Sequence, residues 1–133
     1  MSETSIKYKP PTFSGKNKDW ASWSIMMQND LRKNECKELL KALDEGKEVP
    51  KDSEAVQGDE EKVQEQNKKA FGRLLKAFDR EDQFGLAGFM MVESYIDPAG
   101  GYADGDFISA WRAMEDLYNA KNFATMVTLK NEY

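Results

Sequence analysis

The side chains that carry most nucleophilic and metal chemistry in proteins are nearly missing from this sequence. Its 133 residues contain no histidine and a single cysteine, Cys36. Without histidine, no Ser–His or Cys–His pair can activate a nucleophile. Structural zinc needs about four Cys or His ligands, so a zinc site of that kind is excluded, as is a disulfide within the chain. Cys36 falls beside Leu39 and Leu40 at an apolar helical position, which reads as a small buried thiol.

Carboxylates are the remaining candidates. Asp79, Glu81 and Asp82 cluster, as a general acid–base pair would, but they stand at the start of an apolar helical pattern. Negative charge is favoured there by the helix macrodipole, so capping accounts for them. The loop Asp97–Gly105 suggests a calcium loop until its positions are counted from Asp97. Ala99 and Gly101 stand where carboxylates are required, Tyr102 where glycine is required, and Ile108 where a bidentate glutamate belongs. Gly100, Gly101 and Gly105 do not follow a strand, so they make no phosphate cradle. The expectation is a protein that is not an enzyme and needs no metal and no cofactor.

The elements that would position any site are helical. Residues 1–12, with Pro10–Pro11 at their end, read as a flexible arm. Asn17 or Asp19 is suited to cap a first helix, in which Trp20, Trp23, Met27 and Leu31 recur at spacings of three and four. Cys36, Leu39, Leu40 and Leu43 form the stripe of a short second helix, stopped by Gly46 and Pro50. Residues 44–62 are an acidic, solvated connector whose later part already has helical character. A third helix carries Val63, Ala70, Phe71, Leu74, Leu75 and Phe78 on one face, with Lys68, Lys69, Arg73 and Lys76 outside it. From Glu81 to Val92 the pattern is apolar on most sides, with Phe84, Leu86, Phe89 and Met90, which predicts a fourth helix at the centre of the fold. Gly85 and Gly88 would let a neighbour approach it closely. After the 97–105 loop, Asp104 or Asp106 caps a fifth helix with Phe107, Ala110, Trp111, Met114, Leu117 and Tyr118 on one face. Phe123, Met126, Val127 and Leu129 begin a sixth, in which the chain stops at Tyr133, as a piece of something longer would. The fold class is therefore all-α, a compact bundle of five to six helices over residues 13–133.

No apolar run reaches the ~20 residues that span a bilayer, and the N-terminus has no signal-peptide core, so a cytoplasmic protein is expected. The net charge is −5, with Lys and Arg interleaved among Asp and Glu. Nucleic-acid affinity rests on basic residues neutralising phosphates, so this segment is a poor nucleic-acid binder. What remains is protein–protein association.

Two blocks of the sequence carry a resemblance. Phe13-Ser-Gly15 followed by Trp20, Trp23, Met27 and Leu31 resembles the opening of the Gag polyprotein of Copia-type LTR retrotransposons. There, Phe-x-Gly precedes an aromatic, a Trp, a Met and a Leu at similar spacings. Here the gap is two residues longer, and Trp20 stands where Tyr is common. Further on, Asn67, Ala70, Phe71, Leu74 and Leu75, then Phe84-Gly85-Leu86, then Gly105-Asp106, Ala110-Trp111, Met114 and Tyr118, and last Leu129 with Glu132-Tyr133, follow the family in order. Met114 takes the place of a family Leu, and the 44–62 connector matches nothing.

The resemblance implies a retroviral-capsid-like N-terminal domain that self-associates as a homo-oligomer into a particle shell around the element's RNA. RNA contact would belong to a downstream region, because no zinc knuckle or protease motif is present in this sequence. The family-motif core would be Phe13, Gly15, Trp20, Trp23, Met27, Leu31, Ala70, Phe71, Leu74, Trp111, Met114 and Tyr118. A stand-alone, domesticated helical adaptor that does not assemble particles is the alternative.

Overall fold

The computed structural model describes residues 9–119, and the sixth helical pattern and the first eight residues of the arm lie outside that range. Among the described residues there are five helices and no strand: α1 Asn17–Lys33, α2 Lys37–Asp44, α3 Asp59–Lys76, α4 Gln83–Glu93 and α5 Phe107–Tyr118. The all-α bundle expected from periodicity is present.

Each helix forms where a buried stripe and favourable ends coincide. In α1 the stripe Trp20, Trp23, Met27 and Leu31 is buried throughout. Helix α3 begins after Gly58 with Asp59, Glu60 and Glu61 in its first turn and ends with Arg73 and Lys76 in its last. That order of charge complements the helix macrodipole at both ends. Asp82 caps α4 by accepting from the Phe84 and Gly85 amides, and Asp106 caps α5 by accepting from Ser109 N. The first helix differs from expectation. Its N-cap is Lys16 without a side-chain cap bond, while Ser14 Oγ accepts from Lys16 N and donates to Asp19 Oδ2.

Helix α3 occupies the middle of the bundle, touching α2, α4 and α5, and α5 touches α1, α3 and α4. The apolar fourth helix, expected at the centre, lies on the outside. Its buried residues are Gly85, Gly88 and Val92, and Phe84, Leu86 and Met90 are 47%, 40% and 59% exposed. The reason is the placement of its glycines. A Cβ on Gly85 would overlap the Asp79 carbonyl, and one on Gly88 would press on the Phe78 ring and the Tyr118 hydroxyl. The helix therefore docks through its backbone, and most of its large side chains are left on the outer faces. Leu117, placed on the core face by its spacing, is also turned outward, at 55% exposure.

Two segments outside the helices are more ordered than their composition suggests. Pro10 is buried and the Pro11 carbonyl accepts a hydrogen bond from Trp23 Nε1 at 2.8 Å, so packing begins ahead of Phe13. Phe13 then pairs with the chain just past α3, its amide donating to Ala77 O and its carbonyl accepting from Asp79 N. In the connector, Val49 and Pro50 are buried, Tyr102 Oη donates to Val49 O, and Asp52 N donates to Gly101 O. Residues 44–48 and 51–55 are exposed, Val56 is half-buried, and the last four residues of the connector are the first turn of α3.

Candidate functional site

The twelve residues singled out by the resemblance converge on one place. Phe13 stacks on Trp23 with ring centroids 4.7 Å apart, and Trp23 stacks on Trp111 at 5.6 Å. Trp20 closes the group against Trp111 at 5.3 Å, and Tyr118 meets Phe13 edge-on at 4.9 Å. Met27, Leu31, Ala70, Phe71, Leu74 and Met114 belong to the same buried core. Gly15, at φ 81°, lies where a Cβ would overlap the Phe84 carbonyl, so the glycine allows the chain to pass beneath α4. All twelve residues are buried. They build the scaffold and do not face a ligand.

Two polar clamps hold the scaffold together. Asn67, 3% exposed, donates from Nδ2 to Gly105 O and accepts from Phe107 N at Oδ1, both at 2.8 Å. It fixes the start of α5 against α3. Arg73 grips Asp30 with Nε and Nη2, each 2.7 Å from a carboxylate oxygen, and ties α3 to α1. The hydrophobic stripes gave no sign of either, because a polar residue on a helix reads as surface.

The titratable groups do structural work. Burial holds the Cys36 thiol up at about 11, which keeps it protonated and inert at neutral pH. Burial also raises Tyr118, and Tyr102 with help from nearby acids. Glu115 is raised by burial and then by Asp116, whereas Glu38 is lowered by the hydrogen bond it accepts from Gln66. Asp79 Oδ1 accepts from Glu81 N, and Asp97 Oδ1 accepts from Gly100 N. Asp52 Oδ2 accepts from Ala103 N. These carboxylates shape turns and caps. Among the described residues, no group of three or more His, Cys, Asp or Glu is arranged to hold a metal ion, and no helix is long and apolar enough to cross a membrane.

What the described residues offer to a partner is surface. On α4, Leu86 and Met90 stand one turn apart and point outward, with Phe84 on the other flank and Ile25, Met26, Ile96 and Leu117 exposed elsewhere. Two concave grooves lie at opposite ends of α3. The first, of about 310 Å³, is lined by Glu38, Glu45, Glu48, Asp59 and Glu60, with Lys41 and Lys47. The second, of about 830 Å³, is lined by Lys9, Arg73, Lys76 and Arg80 over an apolar floor of Leu75, Phe78 and Phe89. Arg80 lies over the Phe89 ring, 4.3 Å from its centroid. The second groove was not legible in the sequence, since it brings residues 9–12 together with residues 72–89. Compared with protein-family models, curated proteins and solved structures, the chain matches none of them.

Proposed function

We propose that this chain is a self-associating building block, the capsid-like domain of a Gag-type protein, which joins copies of itself through the outer face of α4. The observation that carries the reading is the exposure of Leu86 and Met90 one turn apart on α4. Large apolar side chains exposed together are a common mark of a protein–protein contact. The occupant is a second copy, in keeping with the resemblance of the buried scaffold to Gag. On this reading the domain works in the cytoplasm as a non-catalytic structural unit, and RNA is held by a different region of the protein. A net charge of −5 agrees with that division of labour.

Sedimentation velocity on the parent and on a Leu86→Glu/Met90→Glu variant tests the proposal. The parent should form concentration-dependent oligomers, and the variant should associate more than about tenfold more weakly at an unchanged melting temperature. A parent that stays monomeric at every concentration would sink the building-block reading and leave the stand-alone adaptor in its place.

A further inference from the structure

Gly88 leaves a notch where α4 meets the end of α5. A Cβ there would stand 3.0 Å from the Tyr118 hydroxyl, so this side of α4 faces the last turn of α5. Phe84 and Met91 lie four residues before Gly88 and three after it, on the same side of the helix. Phe84 is exposed and Met91 half-buried, and Leu117, next to Tyr118, is exposed. The start of α1 ties Phe84 and Leu117 to one spot. Lys16 Nζ sits 5.6 Å from the Phe84 ring centroid, and the Asn17 side-chain amide donates to Leu117 O at 3.2 Å. The chain leaves α5 beside this notch, at Asn119, whose ψ of 120° ends the helix.

We infer that residues 120–133 of the same molecule close this notch as an amphipathic helical strap, which lays Phe123, Met126 and Val127 on Phe84, Met91 and Leu117. The sequence is the first argument. At helical spacing Phe123, Met126, Val127 and Tyr133 fall on one side, and Lys121, Thr125, Thr128 and Glu132 fall on the other. A helix this short is marginal in water, so its apolar stripe needs a surface to pack on. Place and length are the second argument. The segment begins three residues after Leu117, at the rim of the notch. As a helix its fourteen residues would span ~21 Å, against ~10 Å from Phe84 to Met91 along α4. The tether selects the molecule's own segment over that of a neighbour, because it holds the segment at an effective concentration on the order of mM, which a second copy in dilute solution does not reach. The strap and the proposed contact between copies are separate. Leu86 and Met90 stand on the opposite side of α4 from Gly88, so closing the notch leaves them open to another molecule.

Amide hydrogen exchange along the full chain tests the strap. In the parent, the amides of residues 123–130 should exchange at least about tenfold more slowly than in an unstructured chain, and equally so at every protein concentration. The Phe84→Glu/Leu117→Lys variant should lose that protection, and Leu117→Lys alone should weaken it. Both new charges suit the helix ends on which they fall, so α1–α5 should stay protected and show that the domain is folded. The Leu86→Glu/Met90→Glu variant should keep the protection, which separates the strap from the α4 interface. Unprotected amides in the parent, protection that survives Phe84→Glu/Leu117→Lys, or protection lost in Leu86→Glu/Met90→Glu would each overturn the strap in this notch. Protection that fades on dilution would overturn it as well, by giving the notch to the segment of a second copy.

Discussion

Trp23 and Trp111 are stacked partners in one core, yet their indole N–H groups are treated differently, and that asymmetry yields a quantitative expectation. Trp23 Nε1 donates to the Pro11 carbonyl at 2.8 Å. Trp111 Nε1 is buried without a hydrogen-bond partner among the described residues. Replacing either residue by phenylalanine removes the same atoms from positions 2% and 0% exposed, so the lost packing costs both variants a similar ~1–2 kcal/mol. The polar contributions then differ in sign. Trp23→Phe forfeits a hydrogen bond worth ~1 kcal/mol and leaves the Pro11 carbonyl without its donor. Trp111→Phe eliminates a buried unpaired donor, whose desolvation costs ~1–3 kcal/mol in the parent. Trp23→Phe should therefore be the more destabilising by ~2 kcal/mol or more, with Trp111→Phe near neutral. Urea unfolding followed by far-UV circular dichroism, with both variants on one m-value, measures the difference directly. Trp111→Phe costing as much as Trp23→Phe would refute the reasoning. Truncation to alanine at either site should erase the contrast, because a cost of ~3–5 kcal/mol in cavity and contacts then dominates.

Two further expectations concern the clamps and the thiol. Asn67→Ala leaves Gly105 O and Phe107 N without their buried partners, which should cost ~2–4 kcal/mol and lower the melting temperature by ~10 °C or more; a melt within ~2 °C of the parent would show that α5 needs no such anchor. Cys36 has its thiol pKa raised by burial from 9.0 to about 11, so its contribution is complete below pH ~9 and is lost as pH rises towards ~11. Cys36→Ala should flatten the decline in stability over that window, a change of about 2–3 kcal/mol at most, read from urea midpoints at several alkaline pH values; an identical slope in parent and variant would remove the thiol as its cause.

The parts of the fold that were legible from the sequence are those in which side chains report burial. Trp20, Trp23, Met27 and Leu31 repeat with the helical period, and all four are buried. Asp106 marks the start of α5 because its carboxylate accepts from Ser109 N, as an N-cap residue does. Side-chain type misleads where burial is carried by something other than a large apolar side chain. In α4 the inward face is Gly85 and Gly88, so an apolar count places the helix at the centre when its bulky residues face out. Asn67 is buried because two backbone groups of another segment need its amide, and nothing in the local pattern of α3 reveals that partner. Val49 is held by Tyr102, more than fifty residues away, inside a stretch whose composition is acidic and polar. The basic groove escapes a linear reading for the same reason, since Lys9 and Arg80 meet only in the folded chain.

The burial of every motif residue constrains where specificity can lie. Phe13, Gly15, the three tryptophans and Tyr118 contact one another or backbone, so a partner cannot read them directly. A sequence can keep those positions and still present any outer face, because a fold does not dictate the site carried on it. On the proposed reading, recognition falls to side chains that stand exposed, Leu86 and Met90 on α4 and those of the open loops. These lie on outer helix faces and in loops, where substitution costs little stability. Stability and association should therefore separate cleanly in this protein. Changes to the aromatic cluster should lower the melting temperature and reduce association only by unfolding the chain. Charged substitutions at Leu86 and Met90 should weaken the proposed association and leave the melting temperature nearly unchanged. That separation lets one scaffold serve different partners: the core stays, and a handful of exposed side chains choose what it meets.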